Sequence, residues 1–507
     1  MDHKTRSEKM IRNISMGLIS KIVVLVIGFI DRKFFITILG EELLGINGLF
    51  SNILLMLSLA EMGLTNVMVF SYYKPLAEND HERLNTLTSF YKKIYNAIAI
   101  IVTGIGIAII PLLKYIVNLE QPIEHLIGIY LIFLANTVMS YLFVYKSTIL
   151  TADQNGYVIT RTQIRFDVLR QVVQIACLII FRSILVYLGI KVLFVIFNNL
   201  YLMRYVDKHY SYLDLKNAKP ITESDKKNIV STIKSGFIYK LSGILLNGTD
   251  NILISAIVGT VWVGMLANYD TVIVSITGFV VIIFTSLTAS LGNVNITETA
   301  EKKYQIFNIV LFAGFWIGLI VIPCCYNMMD DLVRIWLGEK YVLDKSILII
   351  KLALMYLSCT LNPIFSFREA TGLFRKSKYI IFAGSVINII LSIVFGIKWG
   401  VFGILLASIV SMAVTYVWYE PIILYRDTFE HSPVEYYVKH IVNVICLFII
   451  VFISSSIMSR IYVDGWLMLF VKAGVCFVIV TALSCVVMCR SKEFQYIKQW
   501  VMKLLKN

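Results

Sequence analysis

Two lysines, Lys21 and Lys240, lie inside long apolar segments and are the first residues whose chemistry needs an explanation. At 100° per helical residue, Arg32 falls within about 20° of Lys21. On the second segment, Asn247 and Asn251 fall within about 20° of Lys240. A lysine costs about 2.5–3.5 kcal/mol at the centre of a membrane helix, so these side chains should face protein or water. Such cationic stripes suit an anionic ligand, and phosphate is the obvious one because lysine and arginine bind it well.

Acidic residues in the same part of the sequence leave a second interpretation open. Asp31 and Asp250 each lie roughly 80° around the helix from the lysine of their own segment. Glu61 and Asp270 lie in the apolar segments that follow. These carboxylates either form ion pairs in a transport cavity, couple transport to an ion, or simply satisfy the lysines and arginine as structural partners across helices.

The composition is that of a membrane protein. Of 507 residues, 58% are hydrophobic and 15% are charged, with a mean hydropathy of +0.78, whereas a soluble domain carries about a quarter charged residues. None of the eight cysteines falls in a zinc or redox spacing, and the six histidines show no ligand spacing. We therefore expect no metal and no cofactor. The sequence also contains no GxxxxGKS or GxxxxGKT motif for nucleotide binding.

Apolar runs of roughly 18 or more residues recur along the whole chain, and each is long enough to cross a bilayer as a helix. They predict an all-α integral membrane protein with about fourteen transmembrane helices. The predicted spans are near 14–36, 46–70, 94–113, 124–146, 166–188, 190–207, 233–258, 263–291, 305–327, 346–367, 378–397, 401–424, 440–460 and 467–489.

Charged residues at the span ends have simpler explanations. Asp167 and Arg170 fall at the inner end of the fifth span, where we expect them to snorkel or to pair locally. Arg368 and Glu369 end the tenth span and are expected at the water surface. None of these four residues is assigned to a binding site on the sequence alone.

The distribution of Lys and Arg predicts an orientation. If the even-numbered gaps and both termini share one side, 32 of the 46 basic residues lie there, 10 lie on the other side and 4 lie within spans. Cytoplasmic loops carry the excess of positive charge, so both termini are predicted to be cytoplasmic. The net charge of +14 is thereby explained by topology. No nucleic-acid partner is expected.

An internal repeat emerges when the sequence is shifted by 219 residues. The shift aligns two ionisable residues and three glycines with residues of the same type: Lys21 with Lys240, Asp31 with Asp250, Gly17 with Gly236, Gly40 with Gly259, and Gly45 with Gly264. Ionisable residues are rare in lipid, so two in register are unexpected by chance. Six helices per half make the repeats parallel, and transport sites typically lie between such halves.

The repeat divides the chain into four parts. They are an N-terminal six-helix lobe (1–210), a cytoplasmic linker (211–232), a C-terminal six-helix lobe (233–430), and an appended helix pair with a cytoplasmic tail (431–507). The linker is the longest inner connection, is polar and contains Pro220.

The first half of the chain contains LGEELLGINGLFSNILLMLSLAEMG (Leu39 to Gly63) and FSYYKPLAEND (Phe70 to Asp80), and these segments resemble bacterial capsule, exopolysaccharide and O-antigen repeat-unit flippases. In the second half such segments are TDNILIS (Thr249 to Ser255), GMLANYD (Gly264 to Asp270), RIWLGEKY (Arg334 to Tyr341), FREATGLFRKSKY (Phe367 to Tyr379) and WYEPIILY (Trp418 to Tyr425). The resemblance covers roughly residues 11–430 and is weakest over the final helix pair.

The resemblance implies membership of the multidrug/oligosaccharidyl-lipid/polysaccharide exporter superfamily. It implies alternating access around a central cavity, with undecaprenyl-pyrophosphate-linked oligosaccharide carried from the inner to the outer leaflet. In related flippases, basic residues of helices 1, 2, 7 and 8 are thought to meet the pyrophosphate. Here only Lys21, Arg32 and Lys240 fit that pattern, and helices 2 and 8 offer Glu61 and Asp270 instead.

The sequence thus predicts a flippase and not an enzyme, in the bacterial cytoplasmic membrane. Its expected partners are the lipid-linked oligosaccharide, membrane lipids and other polysaccharide assembly proteins. Three alternatives stay open: a cation-coupled multidrug antiporter, a lipid II flippase, and a membrane polysaccharide polymerase. The antiporter would need an acidic cavity, and the polymerase a large outer loop, whereas no predicted outer loop exceeds about eighteen residues.

Overall fold

The computed structural model describes residues 6–58, 64–119, 123–496 and 498–499. These residues form sixteen α-helices and no β-strand, which confirms the predicted all-α class. The helices are α1 (Arg6–Leu39), α2 (Glu41–Leu57), α3 (Leu64–Glu78), α4 (His81–Ile109), α5 (Leu113–Ile116), α6 (Leu126–Ala152), α7 (Gly156–Phe181), α8 (Ile184–His209), α9 (Glu223–Ile257), α10 (Thr260–Thr297), α11 (Ala300–Leu337), α12 (Lys345–Thr371), α13 (Phe374–Val414), α14 (Tyr416–Leu424), α15 (Val434–Met458) and α16 (Trp466–Met488). Within the described residues, nine helical segments are long and apolar enough to cross a membrane.

Two turns decide how the predicted spans divide. The fifth span was expected to continue to residue 188, but α7 ends at Phe181 because Arg182 adopts a left-handed conformation with φ of 47°. The expected break between the eleventh and twelfth spans is confirmed at Gly400, whose φ of 58° interrupts α13. The two segments of α13 run back along each other, since Asn388 donates a hydrogen bond to Ser408 at 2.9 Å.

The chain forms two compact units, Met1–Ala267 and Asn268–Asn507. In the first unit, α1 packs on α7, and α6 packs on both α4 and α8. In the second unit, α11 packs against α12, α15 and α16. The lobe and linker boundaries expected from the repeat remain a prediction.

The repeat is visible in the backbone of the first unit. Gly40 follows α1 with φ of 86°, and Gly259 stands between α9 and α10 with φ of 141°. A positive φ is inexpensive only for glycine, so each glycine can end one helix and admit a sharp change of direction. The next helix then begins at Glu41 in one repeat and at Thr260 in the other, again 219 residues apart.

Repeat-related glycines also allow α2 to cross the start of α10 at very short range. A Cβ atom on Gly45 would lie 2.1 Å from the carbonyl oxygen of Thr260. A Cβ atom on Gly264 would lie 2.9 Å from the carbonyl oxygen of Glu41. Glu41 and Thr260 are themselves repeat partners, so the crossing is reciprocal, as a symmetry axis between parallel repeats requires. Small residues permit this approach of membrane helices.

Substitution of Gly264 by alanine is therefore expected to destabilise the protein by roughly 1–3 kcal/mol, because the obstructing atoms belong to backbone and cannot move aside. Gly292 is the matched control on the same helix, since a Cβ there would meet nothing within 4 Å. Gly292→Ala should be neutral or slightly stabilising, as alanine favours a helix over glycine. Thermal unfolding of the detergent-purified variants measures both effects. Equal unfolding temperatures would contradict the close crossing.

The predicted cytoplasmic linker is held against the first unit. The Asn85 side chain accepts a hydrogen bond from the Asp214 amide at 2.9 Å. Arg83 forms an ion pair of 2.7 Å with Asp225, at the beginning of α9. Hydrogen bonds from Thr222 and Arg83 lower the pKa of Asp225, so this contact persists in its charged form at neutral pH. The linker is thus a docked segment with specific partners.

The appended helix pair is an integral part of the second unit. A buried cluster joins α11 to α15 and α16 through Leu319, Ile450, Cys476 and Val480. Lys472 of α16 is buried and pairs with Asp331 of α11 at 2.7 Å. Asn327 donates a hydrogen bond to Ser454 of α15 at 3.0 Å. Apolar packing and a buried ion pair therefore fix both added helices to α11.

Candidate functional site

A polar stripe runs along helix α7. Its members are Gln163, Asp167, Arg170 and Gln174. Their spacing of four, three and four residues keeps them within an arc of about 60° over roughly 16 Å of helix. From Val168 onward, the opposite face carries the exposed apolar residues Val168, Leu169 and Val172, which suit lipid. The helix thus separates a lipid face from a face that must meet protein, water or ligand.

The stripe continues as a chain of hydrogen bonds to α8 and α1. Arg170 contacts Asp167 at 3.0 Å and donates to Gln174 at 2.9 Å. Gln174 is fully buried and donates to the carbonyl oxygen of Tyr187 at 2.8 Å. The Tyr187 hydroxyl in turn donates to Asp31 at 2.6 Å. Asp31, one of the predicted acidic residues, is therefore linked to α7 through a tyrosine.

Positive charge predominates around Asp31. The basic side chains of Arg170, Arg32 and Lys191 all act on its carboxylate. With Asp167 included, three formal positive charges face two negative ones. The second carboxylate oxygen of Asp31 is buried and accepts no hydrogen bond from the residues that the structure describes. Charges this deep in a membrane protein are costly unless they are paired or functional.

The predicted binding residues are only partly described. Lys21, Lys240 and Asn247 lie on α1 and α9, but their side chains fall outside the described residues, as does the whole of Glu61. Arg32 donates a hydrogen bond to the carbonyl oxygen of Ala267 at 2.9 Å. Asp250 and Asn251 are half-buried on α9. The cationic site of the sequence analysis therefore stays a prediction.

Asp270 has a partner within the second unit. Its carboxylate accepts a hydrogen bond of 2.6 Å from Lys351 on α12. The Lys351 side chain is only 7% exposed, so the pair replaces much of the water that both charges would otherwise hold. A short, partly buried contact of this kind is a sufficient structural reason for both residues.

Arg368 is buried, contrary to the expectation that it lies at the water surface. Its guanidinium contacts the Glu420 carboxylate at 2.8 Å, and the two side chains are only 4% and 2% exposed. Arg368 also contacts Glu369 at 3.1 Å and lies over the Phe365 ring at 4.5 Å. The expectation was wrong because α12 continues to Thr371, which carries Arg368 into contact with α14.

The network on α7 and α8 was missed from the sequence. The local pairing expected for Asp167 and Arg170 is confirmed by their 3.0 Å ion pair, but its extension to Gln174 and beyond was not expected. The signal that could have found them is the helical spacing of the four polar residues on α7. Their partners Tyr187 and Lys191 carry no such signal, because they lie on another helix and only packing brings them to Asp31.

The arrangement is suited to binding. Its ionisable groups are carboxylates, guanidinium and ammonium groups held in hydrogen-bonded pairs, with no activated nucleophile among them. No group of three or more potential metal ligands occurs in the described part of the chain. The excess positive charge around Asp31 can hold an anion there.

No protein-family model matches the chain, and no curated protein matches it. Among solved structures, the chain is similar to the lipid II flippase MurJ in an inward closed conformation. The identity is 14% and the TM-score 0.69, with 94% of this chain and 99% of that chain covered.

Multidrug resistance transporters share the architecture as well. An inward-facing MATE family transporter of the MOP superfamily is 15% identical, with a TM-score of 0.59 over 80% of this chain and 96% of that chain. A variant of the Vibrio cholerae MATE transporter VcmN is 13% identical, with a TM-score of 0.55 over 84% and 98%. The chain therefore has the same multi-pass fold as the MurJ flippase and these MATE transporters.

Proposed function

We propose that the protein is a flippase for undecaprenyl-pyrophosphate-linked oligosaccharide repeat units. It carries them from the inner to the outer leaflet of the bacterial cytoplasmic membrane, for assembly of a surface polysaccharide. In this proposal Lys21, Arg32 and Lys240 meet the pyrophosphate, with Asn247 and Asn251 beside them. No cofactor takes part, and the partners are the cargo, membrane lipids and the enzymes of polysaccharide assembly.

The observation that carries the proposal is the extent of the structural likeness to a lipid flippase. The MurJ comparison leaves 6% of this chain uncovered, which is less than the appended segment 431–507, so it extends into the helix pair. The first MATE transporter leaves 20% uncovered. The close packing of α15 and α16 against α11 supports counting the helix pair as part of the fold that the chain shares with this lipid flippase. The sequence resemblance then favours an oligosaccharide as the group on that lipid.

Charge supports an anionic cargo over a cationic drug. The described network around Asp31 has more basic than acidic groups. Lys21 adds a basic residue to α1, and Lys240 adds one at the repeat-related position of α9. A cationic drug would be repelled by this excess. A pyrophosphate diester, with about two negative charges, would gain charge-assisted hydrogen bonds.

Deletion of the gene tests the proposal. We expect one surface polysaccharide to disappear and lipid-linked repeat units to accumulate, without cell lysis. Mass spectrometry of extracted lipids and immunodetection of surface polysaccharide measure the two effects. Unchanged polysaccharide together with increased sensitivity to cationic dyes would replace the proposal by a multidrug antiporter.

Lipid II is the second candidate cargo, favoured by the likeness to MurJ. It predicts a different outcome of the same deletion. Cells would lose peptidoglycan synthesis and lyse, and lipid II would accumulate in place of repeat units. Conditional depletion of the gene distinguishes the two cargoes because it allows lysis to be observed as it develops.

The proposed direction of transport requires cytoplasmic termini. A cysteine at Ser224, which is exposed in the linker region, should react with a membrane-impermeant maleimide only after the cells are opened. Cysteines at the exposed Asp344 and Asp464 should react in intact cells. Reaction at Ser224 in intact cells would reverse the orientation that the basic residues predict.

A further inference from the structure

A cavity of about 280 Å³ lies between α6, α7 and α8 in the first unit. Its polar lining consists of Ser140, Gln163, Asp167, Arg170, Asn198 and Asn199. The volume corresponds to roughly nine water molecules. Asp167 lies about 16 Å along α7 from its first residue, and Asn198 about 16 Å along α8 from its last. The cavity therefore lies along the middle of these helices and not at their ends.

The exposed carboxylate in the cavity requires a polar occupant. The Asp167 side chain is 44% exposed although it lies far from either end of α7. A carboxylate open to hydrocarbon would cost a few kcal/mol, so the opening must face water or a polar ligand. Three different helices supply the polar side chains of the lining. The polar residues are therefore not explained as the water-exposed end of a single helix.

The charges of the lining cancel, which selects a neutral ligand. Asp167 and Arg170 form an ion pair of 3.0 Å, and Arg170 also donates to Gln174. The guanidinium would repel a metal cation, and the carboxylate would repel phosphate. The lining can therefore recognise a ligand only through hydrogen bonds.

Those hydrogen-bonding groups are mixed donors and acceptors. The side-chain oxygen of Asn198 is buried and has no hydrogen-bond partner in the described part of the chain. The Ser140 hydroxyl donates to the Thr137 carbonyl at 2.7 Å, which leaves its oxygen free to accept. Phe166 and Phe194 add apolar ring faces to the same cavity. Amides, a hydroxyl and aromatic rings together suit a polyhydroxylated ring that has polar edges and apolar faces.

We propose that this cavity binds a neutral sugar ring of the transported oligosaccharide. The inference rests on the proposed function, because it assigns part of the same cargo to a second position. Asn198 supplies the unsatisfied acceptor for a sugar hydroxyl, and Asn199 and Gln163 supply further amide groups. The cavity then discriminates among repeat units by their sugars, whereas the pyrophosphate binds elsewhere.

Asn198→Leu tests the assignment, since leucine has a similar shape and removes both the amide donor and the acceptor. Asn136→Leu is the matched control. Asn136 lies on α6 and also has a buried side-chain oxygen without a partner among the described residues, but it does not line the cavity. If unsatisfied amides merely weaken folding, both variants should behave alike.

The binding probe is the lipid-free oligosaccharide that mild acid releases from the host's own lipid-linked intermediates. Calorimetry on the purified protein in nanodiscs should detect its binding in the millimolar range. Asn198→Leu should weaken binding at least tenfold, and Asn136→Leu should leave it unchanged. Inorganic pyrophosphate should not displace the oligosaccharide. Absence of binding to the wild-type protein, equal binding by both variants, or displacement by pyrophosphate would each overturn the sugar site.

Failure of this inference is distinguishable from failure of the proposed function. If deletion abolishes the polysaccharide but the released oligosaccharide does not bind, the flippase proposal holds and the sugar site is wrong. If deletion leaves the polysaccharide intact and the oligosaccharide still fails to bind, both are wrong. Binding that Asn198→Leu weakens, in a strain where deletion abolishes the polysaccharide, supports both.

Discussion

Replacement of both Lys21 and Lys240 by alanine is expected to abolish polysaccharide export while the protein stays folded in the membrane. The two lysines occupy equivalent positions of the repeat, so parallel repeats would direct them toward one site. A hydrogen bond to a charged group contributes roughly 1.5–3 kcal/mol. Loss of both should weaken pyrophosphate binding by about a hundredfold or more.

Two sets of variants separate charge from position. Lys21→Arg and Lys240→Arg should keep part of the activity, because a flexible pyrophosphate needs the charge more than the shape of the side chain. Lys33→Ala removes an exposed lysine from the same helix as Lys21 and should export normally. Surface polysaccharide per unit of membrane-inserted protein is the measurement. Full export from a stable Lys21→Ala/Lys240→Ala protein would exclude the cationic site.

The alternative is that Lys21 exists to neutralise Asp31. Removing Lys21 would then strand a buried carboxylate and reduce the amount of folded protein, and Lys21→Ala/Asp31→Ala should restore it. The structure gives Asp31 other partners, because it accepts a hydrogen bond from Tyr187 and lies near Arg170. We therefore expect Lys21→Ala alone to remain abundant in the membrane.

Much of the fold could be predicted from the sequence because its strongest signals are local. Apolar runs longer than a bilayer is thick predict helices without reference to any other part of the chain. The 219-residue shift also aligned Gly40 with Gly259, and both glycines have positive φ values at equivalent helix ends. At Arg182 the prediction failed, because a single turn residue in a continuous apolar stretch changes the hydropathy very little.

The contacts of the candidate site could not be predicted in the same way. Hydropathy shows that a charged residue lies in an apolar segment, but not which helix face packs against which neighbour. Glu420 is 52 positions from Arg368, and Tyr187 is 156 positions from Asp31. Only the three-dimensional packing selects these partners. A polar stripe such as that on α7 does show helical periodicity, so it can be recognised in the sequence.

Arg368→Ala is expected to cause the largest loss of stability in the second unit. It would leave the Glu420 carboxylate, only 2% exposed, without the guanidinium that contacts it at 2.8 Å. Breaking a buried pair by removing one partner typically costs about 3–5 kcal/mol, because the remaining charge is neither paired nor hydrated. Little folded protein should survive detergent extraction and mild heating, as fluorescence-detected gel filtration would measure.

The double variant Arg368→Leu/Glu420→Leu decides the cause of this loss. Replacing both charges by apolar groups removes the desolvation cost together with the attraction, so stability should return to near the wild-type level. Lys74→Ala is the exposed control, because the Lys74–Glu78 contact is 3.9 Å long with side chains 83% and 57% exposed. Such surface pairs contribute roughly 0–1 kcal/mol, so its effect should be small. If the double variant is as unstable as Arg368→Ala, packing around Arg368, including the Phe365 ring, outweighs the charge pair.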